Sequence, residues 1–157
     1  MKYRRMTLNE LESLQQEFIY FLVANGIPAE VWERIKKEDA GKMNALLDEF
    51  SVLVFQTSIE KAEFLLNVRK QELMLFHCKP DEMQLYSLSI SNPQTNLSSF
   101  ESVEQMVAAL ESDENLQQTS FSSKYCPDRE QTIYELLESG CGISDRNTFA
   151  EITSLFK

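Results

Sequence analysis

The chain has 157 residues, of which 43% are hydrophobic and 25% charged, with 25 acidic and 15 basic groups and a formal net charge of −10. That length suits one ordinary domain, and the composition excludes whole-chain disorder. No run of about 18 apolar residues exists, so no transmembrane helix is expected, and no apolar stretch follows the charged start Met1-Lys2-Tyr3-Arg4-Arg5, so no secretory signal is expected.

The first helix is signalled by Thr7-Leu8-Asn9-Glu10, a capping box, and by Leu8, Leu11, Leu14, Phe18, Phe21 and Leu22 at spacings of three and four. Asn25-Gly26 ends it. The run from Phe18 to Val23 is apolar around the whole helix. It belongs either at the centre of the fold or against a second copy of the chain. Pro28 opens a short helix with Val31, Trp32 and Ile35 inward. After Ala40-Gly41, Met43, Leu47, Phe50 and Val54 mark a longer one.

Near residue 62 the period changes from 3.6 to 2. Phe64, Leu66 and Val68, then Leu73, Leu75 and His77, then Tyr86, Leu88 and Ile90 alternate as three short strands. Tight breaks at Lys70-Gln71 and Lys79-Pro80-Asp81-Glu82 favour an antiparallel meander over 62–90. The middle strand, apolar on both faces, belongs at its centre. Ser98-Ser99-Phe100-Glu101 reads as a second capping box, before a helix with Val103, Val107 and Leu110. Residues 112–126 are a polar loop, mobile or hiding an irregular strand around Thr119–Phe121. Pro127 opens a helix through Ile133, Leu136 and Leu137, closed by Gly140 and Gly142, and Asp145 caps a last helix with Phe149, Ile152 and Phe156. The expected fold is a single α+β domain over 1–157. Helices over 1–60 pack on a three-stranded antiparallel sheet, and 98–157 is mainly helical.

The opening residues carry a resemblance. Lys2-Tyr3-Arg4-Arg5-Met6-Thr7, Glu17-Phe18-Ile19, Phe21-Leu22, Asn25-Gly26-Ile27-Pro28-Ala29, Trp32-Glu33 and Ile35-Lys36 resemble a family of small bacterial proteins, a domain of unknown function, over about residues 1–90. The resemblance implies a bacterial cytoplasmic protein and transfers no site residue.

Chemistry is mostly excluded. The glycines Gly26, Gly41, Gly140 and Gly142 form no phosphate-binding loop, so no nucleotide cofactor is expected. His77, Cys78, Cys126 and Cys141 have the count of a zinc site but not its spacing, and adjacent strand residues point to opposite faces, so no metal is expected. A Cys126–His77 dyad is the one nucleophile–base pair the chain could assemble. No acidic pair stands out among the others. Residues 80–157 carry 13 acids and 4 bases, so a phosphate backbone would be repelled there and no nucleic acid is expected. Lys2, Arg4 and Arg5 are the only basic cluster. Glu10, Glu12 and Glu17 on the first helix argue against an anionic membrane surface. An acidic mimic would need the acids of 101–151 aligned on one surface. The three cysteines suit a reducing compartment, hence the cytoplasm.

The leading reading is a non-catalytic binding or protein-interaction domain, with an unknown protein partner or self-association through the first helix. The alternative is a small-ligand protein or enzyme with a pocket between sheet and helices. Trp32, His77 and Tyr86 are the candidate partner or pocket residues, and no catalytic residue is nominated.

Overall fold

The computed structural model describes residues 3–156; Lys2 of the basic cluster lies outside them. Two compact units divide between Ser58 and Ile59.

The first unit holds α1 (Leu8–Ser13), α2 (Gln15–Ala24), α3 (Ala29–Glu38) and most of α4 (Ala40–Lys61). The capping box forms: the Glu10 amide donates to Thr7 Oγ1 at 3.2 Å and the Thr7 amide to Glu10 Oε1 at 2.8 Å. The Arg4 guanidinium forks onto the same carboxylate at 2.8 and 3.0 Å. Those bonds, Arg4's first, hold the Glu10 carboxyl down at about 2. The single helix expected through residue 24 breaks at Leu14, whose backbone leaves the helical region (φ −110°, ψ 25°). Gly26 supplies the left-handed cap (φ +73°) that an L side chain would resist. Leu22, Ile27, Ile35 and Leu46 are buried, with Phe18, Phe21, Trp32 and Met43 packed on them.

The second unit is built on a five-stranded, fully antiparallel sheet in the order β4-β3-β2-β1-β5. The strands are β1 (Phe64–Val68), β2 (Glu72–Cys78), β3 (Glu82–Ser89), β4 (Gln117–Lys124) and β5 (Gly142–Ser144). The α+β class and the meander stand, and β2 is the central strand. Two things differ from the expectation. The sheet has five strands, not three. The C-terminal part is not simply helical: it adds β4 and β5 to α5 (Val103–Glu111), α6 (Arg129–Glu138) and α7 (Arg146–Thr153). The physical reason is exposure. Every residue of β4 is exposed, so no hydrophobic alternation marks it, and β5 is three residues beginning on a glycine. Both are held by the backbone ladder rather than by burial.

On one face of this sheet Leu73, Leu75 and Leu88 are buried with Leu97, Leu110 and Ile152; Val103, Val107 and Phe149 of α5 and α7 pack against them. The helix starts have side-chain caps: Ser102 Oγ accepts from the Gln105 amide, Asp128 from Gln131 and Asp145 from Thr148. The second capping box is therefore displaced. Ser98 lies in a short 3₁₀ turn (Leu97–Ser99) capped by Asn96, and α5 starts after Ser102.

Candidate functional site

His77 and Tyr86 share a sheet face, because His77 lies opposite Gln84 and Tyr86 opposite Leu75. Phe149 of α7 touches both rings, at 5.1 Å from His77 and 5.6 Å from Tyr86. His77 is also stacked on Phe64 at 4.7 Å. Its Nε2 lies 3.7 Å from Glu63, whose carboxylate also takes the Arg146 guanidinium. Burial, the largest influence, pulls the imidazole below its ordinary pKa; Glu63 works against that, while Lys79 and Arg146 add to it. The histidine is thus largely a neutral member of an aromatic row.

A cavity of about 570 Å³ opens beside it, lined by Glu60, Lys61, Glu63, His77, Cys78 and Arg129 among others. Arg129 is committed to structure. It donates to the carbonyls of Ile59 (2.9 Å) and Ala62 at the end of α4 and reaches that of Cys78. Burial pushes the Cys78 thiol up to about 11, far from a nucleophile's range. Cys126 is exposed, and its backbone bonds Thr132. His77 pairs with Glu63, Phe64 and Phe149, and the exposed Cys126 is not among the residues that line the cavity at His77. Among the described residues no group of three or more His, Cys, Asp or Glu converges as metal ligands.

Trp32 belongs to the first unit, where its ring meets Phe18 edge-on at 5.2 Å and Lys36 lies 5.9 Å above it. It packs partly buried on that unit's core. The apolar circumference of α2 resolves into two sides. Phe18, Phe21 and Leu22 turn inward, while Ile19, Tyr20 and Val23 are 43%, 65% and 63% exposed.

Sequence reading left residues 112–126 as either a mobile loop or an irregular strand around Thr119–Phe121; the structure forms a regular strand there, β4, the most open element of the second unit. β4 is an edge strand with eight consecutive partners on β3, from Glu82↔Lys124 to Ser89↔Gln117, and no bulge interrupts the register. It contains no proline and no carboxylate, although its half of the chain is strongly acidic, and its one large apolar side chain, Phe121, is 53% exposed. Natural edges are commonly blunted by shortness, bulges, prolines or charges. The opposite edge, β5, is blunted by its length of three residues. The available signal was a lone phenylalanine in an acid-free polar run. Among the described residues no helix is long and apolar enough to cross a membrane.

A family model, described as a family of unknown function (DUF6495), matches residues 1–157, the whole chain and so well beyond residue 90. No curated protein and no solved structure matches the chain.

Proposed function

Because the chain belongs to this family of unknown function along its entire length, its role has to be argued from its own surfaces, and we propose a non-catalytic protein-interaction domain that self-associates. The observation that carries this reading is the open edge at β4: an eight-residue strand, exposed throughout, with one side of its backbone unpaired in the sheet. Such a strand is a template for an added strand, the backbone giving affinity and alternate side chains giving selectivity. The exposed side of α2, which follows from the expected self-association through the first helix, is the other surface available to it. The three cysteines are free, which supports a reducing compartment, the cytoplasm.

Light scattering on the purified chain, from micromolar to submillimolar concentration, tests the reading. A mass that climbs above 18.2 kDa with concentration supports it, and a constant 18.2 kDa overturns it.

The cavity beside His77 favours a second reading, a small-ligand protein, since about 570 Å³ is within the range of ligand pockets. A thermal-shift screen of polar metabolites separates the two. Stabilisation that disappears on His77→Ala supports a ligand site, and no hit leaves the interaction reading alone.

A further inference from the structure

The backbone pattern fixes which groups of β4 are open. The Cys78 amide donates to the Glu63 carbonyl at 2.7 Å, so even-numbered residues of β2 bond β1. Bonds between strands alternate, so odd-numbered residues of β2 bond β3, as Lys79 to Glu82 (3.0 Å) and Ile90 to Gln71 (2.9 Å) show. On β3 the odd residues Met83, Leu85, Ser87 and Ser89 then turn to β4 and meet Ser123, Phe121, Thr119 and Gln117. The outward amides and carbonyls of β4 are those of Gln118, Ser120, Ser122 and Lys124.

These four lie symmetrically about Phe121. A two-fold axis perpendicular to the sheet at Phe121 sets Ser120 against Ser122 of a second copy and Gln118 against Lys124. Each pair exchanges both backbone bonds, and Phe121 faces its own counterpart in a non-bonded pair. No carboxylate meets a carboxylate. Within one copy, Phe121, Leu85, Phe76, Leu65 and Ile143 already form an apolar row across all five strands. The axis carries that row into the second sheet. We propose that β4 is the self-association surface, pairing antiparallel with β4 of a second copy in the register centred on Phe121. This rests on the interaction reading above and names its partner and geometry. The contact is carried by a single strand from each copy, so the dimer is expected to form and dissolve with concentration.

The test uses the full chain. Ser120→Pro removes an outward amide that no strand of the same copy uses, so the fold is kept and pairing is lost. Should that variant fail to fold, Ser122→Lys places a charge at the seam instead. In a Cys126→Ser background, Phe121→Cys is expected to form a disulfide-linked dimer under mild oxidation, because non-bonded pairs approach to about 4.5 Å. Thr119→Cys is not, since its counterpart is displaced by about 13 Å. Wild-type mass approaching twice 18.2 kDa at high concentration, abolished by Ser120→Pro, with linkage at 121 alone, supports the proposal. Linkage at 119 instead overturns the register. Association that survives Ser120→Pro but is lost on changing Ile19, Tyr20 and Val23 to serine overturns β4 while the interaction reading stands. A mass of 18.2 kDa at every concentration overturns both.

Discussion

His77 shows how much one side chain's surroundings decide. It is the only histidine in the chain, so between about pH 5 and pH 8 it is the one side chain that titrates without a large perturbation. Its pKa is held below the ordinary value chiefly by burial against Phe64 and Phe149. On acidification the unfolded chain therefore takes up its proton first. The stability this represents is complete above the unfolded pKa and is lost as pH falls through the folded one. Urea midpoints measured at about pH 7.5 and pH 5.5 should fall for the wild type, and His77→Phe, which keeps the stacking, should flatten that fall. Equal slopes would mean the imidazole is as well solvated in the fold as out of it. The thiols give a second readout. Cys126 is exposed whereas Cys78 and Cys141 are buried, with burial raising both buried thiols. A thiol reagent should label Cys126 alone in the native protein and all three cysteines in denaturant; rapid native labelling of Cys78 would contradict the sheet's packing.

Among the elements, α6 is anchored by a side chain that no periodicity could reveal. Arg129 in its first turn donates to carbonyls of Ile59 and Ala62 at the C-terminal end of α4. Charge-assisted bonds of this kind contribute on the order of 2 kcal/mol together, so Arg129→Ala should lower the unfolding free energy by about that much. Arg129→Lys, keeping the charge but losing the fork, should fall nearer alanine than wild type in denaturant titrations. The contrast explains what could be read in advance. Thr7, Asp145 and the alternation of Phe64 to Val68 and Leu73 to His77 act on neighbours in sequence or are sorted by burial, so their signals are local. β4 is exposed along its length, so its strand character resides in backbone bonds to β3 and left only the hint at Thr119–Phe121. The aromatic grouping of His77 and Tyr86 needs Phe149, more than sixty residues away in sequence. Trp32, read from the apolar side of its own helix, sits in the other unit.

The charge of the whole molecule sets the conditions under which its surfaces can meet. Two copies carry −10 each and repel at long range, with 13 of the 25 acids in residues 80–157. β4 lies in that same half yet has no carboxylate, and its only charge is Lys124. The general repulsion therefore acts from outside the strand, while the backbone and Phe121 attract within it. Added salt shortens the Debye length from about 30 Å at 0.01 M to about 8 Å at 0.15 M, which removes the first effect and hardly touches the second. Self-association should accordingly strengthen several-fold over that range, as sedimentation equilibrium would record. A contact made of opposite charges, such as basic groups of one copy on the acidic half of another, would weaken instead. Weakening with salt would move the interface away from an uncharged strand edge and onto the charged surfaces of the molecule.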